Sequence, residues 1–140
     1  MQLQFEILSG KNRICIEPLN RLYNVPNTNF VNIKVNINAG DFFGEYQTQW
    51  ETHDFVYLKK MFGVLYEKLS NSAIFEDLEY QHIFKISGDG FGHFEIDVTA
   101  KDNTGPFAST INFHLSFDQT YIPDMIRKLD AIIEAFPVVK

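Results

Sequence analysis

Apolar and polar positions alternate from Phe30 to Ala39. Val31, Ile33, Val35, Ile37 and Ala39 share one side, and Asn32, Lys34, Asn36 and Asn38 the other. Successive side chains of an extended chain point to opposite faces, so this period of two predicts a strand with one dry and one wet face. Gly40-Asp41 supplies a turn. Phe42 to Glu51 then forms a second arm, with Phe42, Gly44, Tyr46, Thr48 and Trp50 on one face.

The period changes after Thr52. Phe55, Leu58, Phe62, Leu65 and Leu69 recur at steps of three and four, which predicts a helix from about Asp54 to Leu69 with Thr52 or Asp54 as its cap. Ser70-Asn71-Ser72 ends it. Extended segments follow at Ala73–Tyr80, His82–Ser87 and Phe91–Ala100, and Ile111, Phe113, Leu115 and Phe117 mark another strand. Matching the apolar faces on either side of Gly88-Asp89-Gly90 sets Phe84 opposite Phe94 and Ile86 opposite Gly92. That pairing gives a three-residue loop centred on Asp89, with Gly90 left-handed. A last helix starts at Ile122 or Pro123. Its stripe is Ile122, Met125, Ile126, Leu129, Ile132, Ile133 and Phe136, and Pro137 stops it. At the other end, Leu3, Phe5 and Ile7, then Ile14 and Ile16, read as two strands around a Ser9–Asn12 turn.

The fold class expected is α+β: a mostly antiparallel sheet of about seven to eight strands, curved or sandwich-like, packed with two helices in the order β-β-β-β-α-β-β-β-α. Hairpin connections impose the antiparallel sense, and the helices' single stripes must cover the sheet. With 140 residues and 45% hydrophobic content, the chain is long enough for one buried core, so residues 1–140 are expected to form a single domain. Cys15 is the one cysteine, which excludes an internal disulfide. Its place in the alternation is on the wet side of a strand, as an incidental thiol. The opening Met1–Glu6 lacks a cationic region followed by an apolar run, and no apolar stretch approaches a membrane span, so a soluble cytoplasmic protein is expected.

Net charge is −6, unevenly distributed: +2 over residues 1–40, −7 over 41–100 and −1 over 101–140. Phosphate binding draws its affinity from lysine and arginine, so nucleic acid and anionic membranes are excluded as expected partners. A basic protein partner suits the acidic middle segment, although mild acidity also serves solubility alone.

Catalytic signatures are missing. The glycine-rich Gly88–Gly92 precedes a strand, whereas a phosphate cradle needs helix-start amides. His93, Glu95 and Asp97 share a strand face and, with His114 on a neighbouring strand, could form a metal or acid–base set. Side chains two apart on a strand are about 7 Å apart, too far for one strand to hold a tight tetrahedron. A solvated sheet face is the plainer alternative. His82 falls on the apolar side of its hairpin, and His53 sits at a helix start. Fourteen Phe permit either a ligand-binding aromatic pocket or an ordinary core. The irregular segment Tyr23–Asn29 is a candidate recognition loop.

Three stretches carry a family resemblance. They are Ile37-Asn38-Ala39-Gly40-Asp41-Phe42-Phe43-Gly44 running into a polar strand, the helix with Phe55, Leu58, Phe62, Leu65 and Tyr66, and Phe113-His114-Leu115-Ser116-Phe117-Asp118-Gln119-Thr120-Tyr121 before the last helix. Over residues 30–136 the chain resembles the WapI-like immunity proteins of wall-associated-protein toxin systems. Residues 1–29 have no counterpart in that resemblance. It implies a cytoplasmic inhibitor that binds the toxic C-terminal domain of a contact-delivered toxin, often a nuclease. It carries no shared set of functional residues.

Surface logic then supplies the expected contacts. Glu45, Glu51, Glu76, Asp77, Glu79, Glu95 and Asp97 meet basic groups of the toxin, with Trp50 or Tyr46 as aromatic anchors, although core packing is the plainer alternative for Trp50. No catalytic residue and no cofactor are expected. The rival readings are a metal-dependent enzyme or metal-binding protein using His93, Glu95, Asp97 and His114, and a small-ligand carrier.

Overall fold

A computed structural model describes residues 3–22 and 28–139; most of the predicted recognition loop, residues 23–27, lies outside them. Four strands come first: β1 (Phe5–Ser9), β2 (Asn12–Arg21), β3 (Phe30–Ala39) and β4 (Phe42–Glu51). Helix α1 (Thr52–Glu67) follows, then β5 (Ser72–Glu76), β6 (His82–Gly88), β7 (His93–Lys101) and β8 (Thr110–Asp118). A 3-10 turn over Gln119–Tyr121 leads into α2 (Ile122–Ala135). The strands form two four-stranded antiparallel sheets, ordered β1-β2-β3-β4 and β5-β6-β7-β8. The eight strands are the upper end of the expected number, and the α+β class stands.

Each sheet turns its alternating apolar face inward. Phe5, Ile16 and Val35 lie side by side across the first sheet, as do Ile7, Ile14 and Ile37. In the second, Phe75, Phe84, Val98 and Phe113 form one inward row, and Ile86, Ile96 and Leu115 another. Helix α1 joins the sheets: the Phe62 ring lies 5.8 Å from Phe5 and 6.0 Å from Phe117. Burying such rings supplies about 1.5–3 kcal/mol each.

The β6–β7 hairpin departs from its expected register. Phe84 lies opposite Val98, Ile86 opposite Ile96, and Gly88 opposite Phe94. Lys85 therefore faces Asp97, not His93. A slip of four residues keeps every side chain on its face, so alternation alone cannot detect it. The loop chemistry decides. Asp89 accepts from the Phe91 and His93 amides at 2.7 and 3.2 Å, and both Gly90 and Gly92 take positive φ, 86° and 95°. Gly88 has no room for a side chain, since a Cβ there would stand 2.0 Å from the Leu69 carbonyl oxygen.

Helix α1 begins earlier than expected. Glu51 is its N-cap residue, and the Asp54 carboxylate turns back to accept from the Glu51 amide at 2.9 Å. Cys15 is also corrected: it is buried on the outer face of the first sheet. Glu6 and Asn36 flank this small side chain in register, and an Arg13–Glu6 ion pair of 2.7 Å forms beside it. Burial pushes its thiol pKa up, so it is poorly disposed to react.

Candidate functional site

The expected contact residues do not form one surface. Glu76, Glu95 and Asp97 lie on the outer face of the second sheet, and Glu79 extends from the β5–β6 turn. Glu45 and Glu51 belong to the first sheet, where Glu45 pairs with Lys34 at 3.4 Å. Two residues are corrected outright as contacts: Trp50 is 1% exposed and Asp77 is 2% exposed. Trp50 packs on Phe55 and Phe75, with ring centres 5.1 and 5.3 Å away, and is the one fully buried position of β4, where the strand runs into α1. Tyr46 is half-buried.

The histidine set disperses as well. His114 approaches Asp97 at 3.8 Å, and Asn112 donates to that carboxylate at 2.6 Å. His93 instead reaches Asp89 at 3.0 Å, in the hairpin loop. Among the described residues no three His, Cys, Asp or Glu side chains converge as metal ligands. The concavities are open grooves. One of about 630 Å³ runs from Asn12 and Phe42 to Phe113 and His114. Phe42, Phe43, Phe91 and Phe107 are exposed, so part of the aromatic content never enters the core.

What the sequence did not signal is a buried polar network between the sheets. Fully buried His82 on β6 contacts Asp77 Oδ2 through Nδ1 at 2.9 Å and the Tyr46 hydroxyl through Nε2 at 2.7 Å. Trp50 Nε1 lies 3.2 Å from the same Nδ1. One nitrogen cannot donate to a carboxylate and accept from an indole, so the shorter, charged contact sets the tautomer. Nε2 then accepts from Tyr46. Asp77 Oδ1 also accepts from the Gln81 and His82 amides at 2.7 and 3.1 Å, and Thr48 donates to the Gln81 side chain at 2.7 Å. Burial, reinforced by the Asp77 charge, raises the Tyr46 pKa and keeps the phenol neutral.

Asp54 extends the support to α1, with Oδ1 accepting from the Leu78 amide at 3.1 Å. Burial pushes its pKa up to about 6 from 3.8, against the opposing pull of its backbone amides. The folded state therefore holds the Asp54 proton more tightly than the unfolded chain does. Stability from this group is full below about pH 4 and falls as pH rises through 6. Asp54→Asn is accordingly expected to gain on the wild type between pH 4 and 7, as read by urea unfolding at each pH. A constant difference across that range would refute the linkage.

The network anchors the β5–β6 turn, where Leu78, Glu79 and Tyr80 stand exposed. Tyr80 adopts a left-handed φ of 54°, unusual for an aromatic residue. The buried network thus supports an exposed turn from beneath. The family model described as "Immunity protein WapI-like family" matches residues 5–137.

The chain belongs to the WapI-like immunity protein family.

The match takes in residues 5–29, which sequence reading left unplaced; β1 and β2 lie there and complete the first sheet beside β3. Family membership implies a toxin protein as the partner. No curated protein matches this WapI-like chain. Among solved structures it is similar to a plant transcriptional regulator, PBF-2, at 10% identity and TM-score 0.55, covering 97% of this chain and 82% of that one. WHY1 of Arabidopsis thaliana gives 12% identity and TM-score 0.51, covering 97% and 91%. WHY3 of the same plant gives 14% and 0.50, covering 97% and 89%. At such identities these likenesses show a shared fold alone. No helix of the described residues is long and apolar enough to cross a membrane.

Proposed function

We propose that this chain protects the cell that makes it by binding the C-terminal toxic domain of a contact-delivered bacterial toxin and covering its active surface in the cytoplasm. The observation that carries this reading is the family match over residues 5–137. The outer face of the second sheet supports it, with Glu95 and Asp97 on β7, Glu76 on β5 and Glu79 beyond it. These carboxylates sit on a rigid scaffold and suit a cationic partner such as a nuclease. The −6 charge opposes direct binding to phosphate chains, so likeness of fold to a transcriptional regulator brings no such role here.

Co-expression with the toxin domain tests the reading: protection and a stable complex are expected, and the absence of both overturns it. Neutralising Glu76, Glu79 and Glu95 together to Gln is expected to slow association about tenfold at low salt and flatten its salt dependence. Stopped-flow association rates that do not change would remove the electrostatic part.

A further inference from the structure

Backbone hydrogen bonds at the ends of β5 fix which of its groups are satisfied. The Asp77 amide donates to the His82 carbonyl at 3.3 Å, and the Gly88 amide to the Asn71 carbonyl at 3.2 Å. Bonded pairs alternate in an antiparallel ladder, so residues 71, 73, 75 and 77 face β6. Ser72, Ile74 and Glu76 therefore turn their N–H and C=O groups to the open edge. Among the described residues nothing bonds them there.

The protein closes another edge by contrast. On β8 the same alternation turns His114 and Ser116 outward. Asn12 donates to the His114 carbonyl at 2.7 Å, and the Ser116 amide donates to Ser9 Oγ at 3.1 Å. A β5 edge left open is a template for another strand. A groove of about 450 Å³ lies between β5 and α1, lined by Tyr57, Met61, Ile74, Phe75 and Glu76. Ile74, at the middle of the strand, is 63% exposed. Glu76 lines it and Glu79 stands exposed on the turn that follows β5; among the described residues neither forms an ion pair.

We infer that the toxin docks by adding an extended, basic segment to the open edge of β5. Main-chain bonds to Ser72, Ile74 and Glu76 supply affinity, the Tyr57–Ile74 groove takes alternate apolar side chains, and Glu76 and Glu79 select cationic flanks. This rests on the inhibitory reading above. A second copy of the chain is the poorer occupant, because it would bring two segments of charge −7 together.

Proline tests the edge directly. The Ile74 amide faces outward, so Ile74→Pro removes an edge donor without breaking a bond to β6. Gln47→Pro is the control: the Thr52 amide bonds the Asn29 carbonyl at 2.8 Å, which turns the Gln47 amide outward on β4 in the same way. With the purified C-terminal domain of the toxin that co-expression identifies as the partner, Ile74→Pro is expected to weaken Kd about tenfold, through koff, and Gln47→Pro to leave it unchanged. Hydrogen exchange on the wild-type complex needs no variant. The Ser72, Ile74 and Glu76 amides should become protected. A complex that leaves them unprotected, or that Gln47→Pro alone disrupts, overturns strand addition and spares the inhibitory reading. A wild-type chain that forms no complex overturns both.

Discussion

Asp77→Ala is expected to lower the unfolding free energy by about 3–5 kcal/mol, because it strips a buried carboxylate acceptor from three donors that water cannot reach. Three donors lose their acceptor together: His82 Nδ1 and the amides of Gln81 and His82. None is replaced by water without opening the space between the sheets. A drop in melting temperature of about 10–15 °C follows for a domain of this size. Asp77→Asn separates the contributions. Its amide oxygen still accepts from the two backbone amides, while the charge opposite His82 disappears, so it should fall between wild type and Asp77→Ala. Urea unfolding of the three proteins measures this. If alanine costs under about 1 kcal/mol, the network is not the inter-sheet clamp described.

Phe62→Ala is expected to cost a comparable amount, about 3–5 kcal/mol, by a different mechanism. No polar group is orphaned. The loss is the ring that touches Phe5 on one sheet and Phe117 on the other. Neither sheet can collapse into the void without leaving its own ladder, so the cavity persists. Phe62→Leu retains most of the volume and should cost under about 1.5 kcal/mol. The discriminating measurement is denaturant unfolding with unchanged m-value. Equal costs for Ala and Leu would mean that the site does relax.

The strands and helices were legible because their faces are clean. Val31–Ala39 and Ile111–Phe117 read as strands from alternation, and the Phe55–Leu69 stripe reads as a helix. Register was legible only modulo two, and the β6–β7 hairpin shows why. Both pairings bury Phe84 and Phe94 on the same side, and only the Asp89 carboxylate and the paired left-handed glycines select the observed one. Trp50 and Tyr46 share a face by period, but the depth of burial along it depends on what lies opposite, and that is a tertiary property. Asp77 stands between Glu76 and Leu78-Glu79, neighbours that give no sign of its burial. Nothing local states that its carboxylate caps the turn back to His82. Of the acidic set, Glu76, Glu95 and Asp97 lie on the second sheet and Glu79 on the turn after β5, while Glu45 and Glu51 belong to the first sheet, a division that residue type and period do not encode. The open β5 edge had no sequence signal beyond an exposed-phase isoleucine at position 74.

The strand order within each sheet has a kinetic consequence. Every ladder joins neighbours in sequence, β1 to β4 and β5 to β8. Each half of the molecule is a meander that can zip up hairpin by hairpin, with little loop entropy lost at any step. The distant associations, Ser9 with Ser116 and Trp50 with His82, join residues 107 and 32 apart in sequence and form only when the meanders meet about α1. Until then, both dry faces remain open to solvent in a newly made chain.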